Sequence, residues 1–343
     1  MTRIYGDASD NFLTDTINDD RIFGGLGDDT LVSTAGWDHL NGGEGDDSLS
    51  LNGLHGVAYG GAGSDVLYSG AGLFVFGDDG NDFLSGAGFM YGGLGDDTFT
   101  NMTGVADGGE GNDVMIGAHS GFYGGGGNGD DLMIGGRHLN GGDGNDTMVC
   151  FAGGSEIIGG AGFNLEIGQS GNDSIYGGAD ADTIRGAAGN DFLEGQAGND
   201  QMDLGAGKDI AYGGDGDDTI LGGTGNDLVF GRAGADLISG GGGTDTLRGG
   251  AGADVFVFGT LAEMGLDLTQ DVVLHFQTGV DKIDLSAIAG LHFIDGAAFS
   301  HVAGEVRFDA ALMQLQIDQS GTGAAEGSLQ LHTGIFDAGD LTL

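Results

Sequence analysis

Aspartate recurs in this chain at a fixed distance behind a pair of glycines. The pattern is Gly-Gly-x-Gly-x-Asp-x-apolar-x, and clear copies run over Gly24–Leu31, Gly42–Leu49, Gly60–Leu67, Gly213–Ile220 and Gly249–Phe256. Carboxylate and carbonyl oxygens are the hard ligands that Ca²⁺ prefers. The spacing therefore predicts a series of calcium sites, each formed by a glycine turn and an aspartate.

The nonapeptide also predicts the elements that position these aspartates. Its glycine half must turn with positive φ, which glycine does without steric cost. Its Asp-x-apolar half reads as a short strand whose apolar residue points inward, because side chains alternate along a strand. Two nonapeptides make one 18-residue coil with a turn on each edge, and the frame holds without insertion from Gly141 to Val257. We therefore expect an all-β, right-handed parallel β-roll (an RTX solenoid, as the family resemblance given below implies) with a C-terminal antiparallel β cap.

The predicted ligands fall on two edges of the roll. Edge A carries Asp29, Asp47, Asp65, Asp82, Asp97, Asp113, Asp131 and Asp146, then Asn164, then Asp182, Asp200, Asp218, Asp236 and Asp254. Edge B begins with Asp20 and Asp38, loses the motif, and regains it at Asp173, Asp191, Asp209, Asp227 and Asp245. All of these except Asp20, Asp38 and Asn164 are predicted calcium ligands, and we expect on the order of 15 bound Ca²⁺.

The half-turns of edge B within residues 51–158 are irregular, and several are shorter than nine residues. We expect tight, calcium-free turns there. Six aromatic residues from this region are expected to pack inward; the alternative is an exposed patch for a partner or glycan. They are Phe74, Phe76, Phe89, Tyr91, Phe122 and Tyr123. His55, His119 and His138 read as surface histidines, with a transition-metal site as the alternative.

The unit that begins at Gly159 departs from the pattern. Asn164 replaces the aspartate, and Glu166 occupies the apolar position between Leu165 and Ile167. A one-residue slip would place the two apolar side chains inside and the glutamate outside. We therefore expect a local change of register. The single cysteine, Cys150, excludes an intramolecular disulfide and is expected to be a small apolar core residue.

Composition agrees with a cation-loaded protein. The chain has 343 residues with 79 glycines and no proline, and its 53 acidic and nine basic residues give a formal net charge of −44. Nucleic acid and anionic membrane surfaces are unfavourable partners for such a charge. The N-terminus carries no apolar signal-peptide region, and no run is long enough to span a bilayer. Without calcium the acids would repel one another, so metal binding is expected to drive folding.

The glycine period ends after Val257. Runs at 305–308 and 313–317 alternate apolar and polar residues and predict antiparallel strands of a cap, which would cover the open end of the roll. We expect four regions: 1–23, an N-terminal cap or degenerate repeat; 24–158, a roll with calcium turns mainly on one edge; 159–257, a roll with calcium turns on both edges; and 258–343, the cap.

The nonapeptide identifies the chain as a member of the RTX calcium-binding proteins, and Phe276–Ser286 resembles the C-terminal region of serralysin-type metalloproteases. The resemblance implies a cap that folds on the calcium-loaded roll and an uncleaved type I secretion signal, which Asp340-Leu341-Thr342-Leu343 resembles. It implies export to the medium or cell surface of a Gram-negative bacterium, with calcium and the type I secretion machinery as partners. The His-Glu-x-x-His and Gly-x-Ser-x-Gly motifs are absent from the sequence, so protease and lipase activities are not carried over.

Two classes of function remain open. The first is a structural, surface or adhesive protein without catalysis, with an extracellular glycan or protein as a partner. The second is a secreted enzyme or toxin whose site lies on the irregular edge formed by residues 51–158.

Overall fold

A computed structural model describes residues 1–53, 55–117, 122–151, 153–265, 270–295, 297–332, 336 and 338–343. The chain divides into two compact units, Met1–Leu165 and Glu166–Leu343. Each unit contains two columns of parallel strands, with the chain passing from one column to the other at every half-coil. The predicted parallel β-roll is confirmed.

Unit 1 is built from two parallel sheets, named P and Q. Sheet P contains β1 (Thr2–Tyr5), β3 (Asp20–Leu26), β5 (Trp37–Glu44), β7 (His55–Ala62), β12 (Tyr123–Asn128), β14 (His138–Asp143) and β16 (Glu156–Ala161). Sheet Q contains β2 (Phe12–Thr14), β4 (Thr30–Ser33), β6 (Ser48–Leu51), β11 (Val114–Gly117), β13 (Leu132–Ile134) and β15 (Thr147–Val149). Three long strands, β8 (Val66–Asp79), β9 (Phe83–Leu94) and β10 (Thr98–Glu110), run across edge B and belong to both sheets.

The core of unit 1 follows from the alternation of side chains along each strand. From β4 onward, one residue of each coil points inward along sheet Q and its continuation in β8–β10, and these residues are at most 1% exposed: Leu31, Leu49, Leu67, Leu84, Phe99, Met115, Met133 and Met148. The turns of edge A need glycine because consecutive coils lie close together. A Cβ on Gly43, whose φ is +122°, would lie 2.2 Å from the carbonyl oxygen of Gly25 in the preceding coil.

The irregular half-turns of edge B shorten the coils of unit 1. Equivalent aspartates are 18 residues apart at Asp29 and Asp47 but 15 apart at Asp82 and Asp97. The long strands pass the edge with register shifts, as between Ser69 and Leu73. The interior behind this edge is filled by apolar side chains that are 0–2% exposed: Leu51, Leu73, Met102, Phe122 and Cys150. The tight turns and the core position of Cys150 are as predicted.

Five of the six aromatic residues near edge B do not pack inward, so that expectation is wrong for them. Phe122 alone among the six is fully buried. Val75 occupies the inward position between Phe74 and Phe76, and strand alternation then directs both rings outward. Their rings continue along sheet P as stacked pairs with centroids 4.9–5.0 Å apart: Tyr59–Phe76, Phe76–Tyr91 and Phe74–Phe89. Tyr123 stacks in the same way on His138, at 4.6 Å.

The predicted change of register at Glu166 is also wrong. Strand β17 (Leu165–Ile167) keeps the frame, with Glu166 0% exposed and both neighbours half-buried. The reason lies in the preceding turn. Asn164 Oδ1 accepts a hydrogen bond from the Asp146 N–H at 2.9 Å, the same bond that an aspartate makes at this position. The turn therefore keeps its register, and the residue two places later must point inward.

Unit 2 contains two parallel sheets, named R and S. Sheet R contains β18 (Ser174–Gly178), β20 (Phe192–Ala197), β23 (Ile210–Asp215), β26 (Leu228–Ala233), β29 (Thr246–Ala251), β31 (Val272–Val273) and β36 (Gly327–Leu331). Sheet S contains β19 (Thr183–Arg185), β21 (Gln201–Asp203), β24 (Thr219–Leu221), β27 (Leu237–Ser239), β30 (Val255–Val257), β32 (Lys282–Asp284) and β37 (Leu341–Thr342). Three two-residue strands pair along edge B: β22 (Ala206–Gly207), β25 (Thr224–Gly225) and β28 (Gly242–Gly243).

The C-terminal region of unit 2 closes the roll as predicted. It contains α1 (Leu261–Met264), β33 (His292–Phe293), β34 (Glu305–Asp309), β35 (Gln314–Asp318) and a 3₁₀ turn (Ala338–Asp340). The antiparallel pairs β34–β35 and β35–β36 form the expected cap. Strands β36 and β37 add in parallel to β31 and β32, so the cap covers the last exposed edge of each sheet.

Candidate metal centre

All eighteen predicted ligands are buried, each with at most 2% of its surface exposed. Within each unit they form rows in which the backbone N–H of one aspartate donates to Oδ1 of the equivalent residue in the next coil. The Asp47 N–H lies 2.7 Å from Asp65 Oδ1 in unit 1, and the Asp191 N–H lies 2.7 Å from Asp209 Oδ1 in unit 2. One oxygen of each carboxylate therefore sets the stacking of the coils.

The second carboxylate oxygen has no such role. Oδ2 is buried and has no hydrogen-bond partner among the described residues at Asp29, Asp47, Asp65, Asp82, Asp97, Asp113, Asp131, Asp146, Asp191, Asp200, Asp209, Asp218, Asp227, Asp236, Asp245, Asp254 and Asp271. A buried polar atom without a partner costs about 1–3 kcal/mol, and more when it is charged. A cation beside each of these oxygens would remove that cost.

The surroundings of Oδ2 match the donor set of a hard cation. A Cβ added to Gly42 would lie 2.1 Å from Asp47 Oδ2 and 2.5 Å from the carbonyl oxygen of Gly60 in the next coil. The space beside the first glycine of each turn is thus lined by a carboxylate and a backbone carbonyl. In the described part of the chain, no three His, Cys, Asp or Glu side chains gather at one point. Single carboxylates combined with carbonyl oxygens suit Ca²⁺ better than a transition metal.

Burial makes these carboxylates unfavourable as bare anions. It raises the pKa of Asp65 to about 7 and that of Asp97 to about 8, and the carboxylates of neighbouring coils add to both shifts. The same two causes raise the pKa of Asp227 to about 7 on edge B of unit 2. At neutral pH each such group is charged only at a cost, unless a cation lies beside it.

The first two aspartates of edge B differ from the predicted ligands because hydroxyl groups of the chain bind their Oδ2 atoms. Asp20 Oδ2 accepts hydrogen bonds from the Thr16 backbone and hydroxyl at 2.7 and 2.6 Å, and these bonds lower its pKa to about 2. Asp38 Oδ2 accepts one from the Ser33 hydroxyl at 2.7 Å. Hydroxyl groups of the chain thus satisfy Oδ2 at these two positions.

Two members of the rows were missed from the sequence. The Asp245 N–H donates to Asp271 Oδ1 at 2.7 Å, and the Asp254 N–H donates to Asp281 Oδ1 at 3.2 Å. Burial raises the pKa of Asp271 to about 8. Both residues begin an Asp-x-apolar segment, which was a usable signal. They escaped notice because they lie 26 and 27 residues beyond their partners, where a regular coil has 18.

Where the exposed residue before a ligand is Asp or Asn, it has a separate task that the sequence analysis did not assign. Asp28 Oδ1 accepts the Asp46 N–H at 2.9 Å, and Asp46 Oδ1 accepts the Ser64 N–H at 2.7 Å. Asparagine does the same at Asn112, which accepts the Asp130 N–H. The frequent Asp-Asp and Asn-Asp pairs therefore combine an outer side chain that binds backbone with an inner carboxylate.

The histidines do not form a shared site in the described residues. His138 Nδ1 lies 2.9 Å from Glu156 Oε2, and His55 stacks on Trp37 with ring centroids 6.3 Å apart. His119 lies outside the described residues. Separately, no helix in the described ranges is long and apolar enough to cross a membrane.

The raised pKa values predict how the calcium-free protein responds to pH. A group whose pKa is raised on folding binds more protons in the native state than in the unfolded chain, so stability falls as pH rises through the interval between the two values. The interval runs from the ordinary value of 3.8 to about 7 for Asp65 and about 8 for Asp97. In excess chelator, β-structure measured by circular dichroism should therefore decrease from pH 4 to pH 8. Repeating the titration at high salt screens general surface repulsion; β-structure that increases with pH would contradict the account.

Comparisons with known proteins agree with this geometry. The RTX calcium-binding nonapeptide repeat profile matches residues 14–49, 57–72, 74–89, 105–118, 138–149, 158–193 and 167–202. The profile described as Peptidase M10 serralysin C terminal matches residues 194–341. No curated protein matches the chain.

Solved structures similar to the chain include two subunits of a mannuronan C5-epimerase from Azotobacter vinelandii. AlgE6R3 is 30% identical, with 40% of this chain and 80% of that one covered and a TM-score of 0.32. AlgE6R2 is 19% identical, with 51% and 91% covered and a TM-score of 0.27. On the two profile matches and its own turns, the chain belongs to the RTX proteins, whose nonapeptide repeats bind multiple Ca²⁺, and it carries a serralysin-like C-terminal region.

Proposed function

We propose that this protein is exported unfolded by a type I secretion system, folds on calcium outside the cell, and serves there as a structural or adhesive surface protein. The observation that carries the proposal is the buried, unpartnered Oδ2 atom that recurs from coil to coil in both units. We assign the eighteen predicted aspartates as calcium ligands and add Asp271, which is buried as they are and has an unpartnered Oδ2 like that of Asp245 or Asp254.

Charge and chain entropy together support coupling between calcium binding and folding. The net charge is −44, and 79 glycines must lose a large conformational entropy when they order. About 15 Ca²⁺ would bring about 30 positive charges to the rows of carboxylates. Calcium sites of extracellular modules have dissociation constants of about 10⁻⁴–10⁻³ M, so such sites stay empty in the cytosol and fill outside. Binding free energy then becomes folding free energy.

The last residues of the chain are consistent with a signal that is read before folding. We assign Asp340-Leu341-Thr342-Leu343 to this role. In the folded protein Leu341 pairs with Ile283, and Asp340 Oδ1 accepts a hydrogen bond from the Gly279 N–H at 2.8 Å. Asp340 and Leu341 leave these contacts only when the cap unfolds. A chain kept unfolded by low calcium therefore presents these residues to the secretion machinery.

The outward aromatic rings of sheet P support an adhesive role. Phe74, Phe89 and Tyr123 are 44%, 39% and 52% exposed, and stacked neighbours hold their rings side by side. Exposed apolar surface of this kind is costly in a soluble protein unless it binds something. Since calcium occupies the turns, the sheet faces are the surfaces that remain for a partner.

A second candidate function is an enzyme on sheet P. A groove of about 430 Å³ is lined by Asp107, Tyr123, His138 and Glu156, among others. Burial raises the pKa of Asp107, as general acid–base chemistry requires. If this groove is catalytic, turnover of a polysaccharide panel by the calcium-loaded protein should be lost in Asp107→Asn, while Asp46→Asn, an exposed change on edge A, should keep it. No turnover by the unaltered protein would remove this candidate.

Calcium-dependent folding is tested directly by titration. In excess chelator at pH 7.5 the full chain should show the spectrum of an unfolded protein, and addition of Ca²⁺ to millimolar concentration should produce β-structure cooperatively. Magnesium at the same concentration serves as the control, because it is smaller and gives up its water reluctantly. Complete β-structure in chelator would refute the coupling.

The ligand assignment is tested by a matched pair of substitutions in neighbouring turns. Asp65→Asn keeps the Oδ1 acceptor but removes the charge at a buried site; Asp46→Asn makes the same change at an exposed site that binds only backbone. Asp65→Asn should raise the calcium midpoint of folding and lower the number of bound ions measured by equilibrium dialysis. Asp46→Asn should leave both unchanged. Equal effects of the two changes would contradict the assignment.

A further inference from the structure

A second cavity, of about 530 Å³, opens on sheet R of unit 2. It is lined by Tyr212, Phe230, Arg232, Arg248 and the backbone of 249–251. The rings of Tyr212 and Phe230 are stacked with centroids 5.1 Å apart and planes 12° apart. The chain has nine lysines and arginines against 53 acids, and two of those nine line this cavity. The cavity thus combines a stacked pair of aromatic rings with two positively charged side chains.

Arg232 has a positive φ at a position where both adjacent coils have glycine. Its φ is +83°, and the residues in register with it in the adjacent coils are Gly214 and Gly250, with φ of +131° and +134°. Such a conformation costs a non-glycine residue about 1–2 kcal/mol. Glycine would avoid this cost, as it does in the two adjacent coils. Strain of this kind is concentrated at functional sites.

The side chain of Arg232 is held in place by two contacts. Its guanidinium lies 4.4 Å from the centre of the Tyr212 ring, and Nη1 lies 2.9 Å from Glu194 Oε1, two coils away. Gly214, in the coil between, has no side chain to obstruct this path. Arg248 is in register with Phe230 and exposed. The two arginines therefore border the aromatic surface, one of them already oriented.

We propose that this cavity binds a carboxylated sugar unit of an extracellular polysaccharide. A guanidinium binds a carboxylate through two parallel hydrogen bonds, and the apolar face of a sugar ring packs on an aromatic ring. Glu194 adds an acceptor for sugar hydroxyls beside these donors. An acidic peptide would use the arginines but neither the acceptor nor the aromatic rings. The volume lies within the range of small-ligand sites. The inference rests on the proposed function, because it needs the calcium-folded protein outside the cell.

The test uses the calcium-loaded full chain and immobilised oligosaccharides that contain glucuronate, galacturonate or sialate, each beside its neutral counterpart. The protein should bind at least one carboxylated sugar at least about tenfold more tightly than the neutral form. Arg232→Gly and Arg248→Gln should each weaken that binding roughly 10- to 100-fold. Arg232→Gly should also be at least as stable to heat as the unaltered protein, since it restores the glycine of the flanking coils; lost binding then cannot be ascribed to unfolding.

Two controls match these variants. Gln196→Gly makes the same kind of change at a left-handed position (φ +77°) outside the cavity, and Arg185→Gln removes an exposed arginine on sheet S. Both should bind as the unaltered protein does. The inference would be overturned by equal binding of charged and neutral sugars or by no binding to any of them. It would also be overturned by undiminished binding in both cavity variants or by equally tight binding of hexaglutamate. Circular dichroism of the same samples separates the two proposals: calcium-induced folding without sugar binding removes only this one.

Discussion

The structure depends on one arrangement, a buried aspartate in each turn whose two oxygens have different tasks. Oδ1 accepts the N–H of the equivalent residue in the preceding coil and so fixes the register of the stack, as between Asp47 and Asp65. Oδ2 faces a space lined by a carbonyl of the next coil and has no protein partner in the described chain at most of these positions. Stacking the coils therefore creates the sites, and the sites oppose stacking until a cation fills them. Glycine at the first turn position follows, because any side chain there would enter the same space.

Along the irregular edge of unit 1, side chains of the chain itself fill the interior and satisfy the carboxylates. Where carboxylates are lacking, apolar side chains such as Leu73 and Phe122 fill the interior, and the coil shortens around them. Where carboxylates remain, at Asp20 and Asp38, neighbouring hydroxyls satisfy Oδ2. Since hydrophobic burial and internal hydrogen bonds do not require calcium, this edge should depend on the ion less than the edges built from open carboxylates.

Much of the fold and of the aspartate rows could be predicted from the sequence, because the nonapeptide indicates the turn, the ligand and the inward residue together. The errors arose where only one of these signals was followed. Glu166 was expected outside because of its polarity, but Asn164 makes the register-setting hydrogen bond as well as aspartate does. Phe74 and Phe76 were expected inside because of their apolarity, although Val75 between them already held the inward place. Asp271 and Asp281 kept the ligand and its strand but lost the spacing. Which oxygen stays open could not be foreseen, because it depends on contacts between coils.

The same division of tasks indicates where specificity can evolve in such a roll. The interior and the turns are constrained at every coil, so substitutions there disturb folding. Outward positions on the sheets carry neither ligands nor core, and their side chains can change freely. Arg232 is such an outward residue. It stands where the adjacent coils have glycine, and its side chain extends across two coils to contact Tyr212 and Glu194. Its backbone conformation costs about 1–2 kcal/mol, and its side chain lies on the outward face of the sheet. Its position is better explained by what lies outside the sheet than by the roll itself.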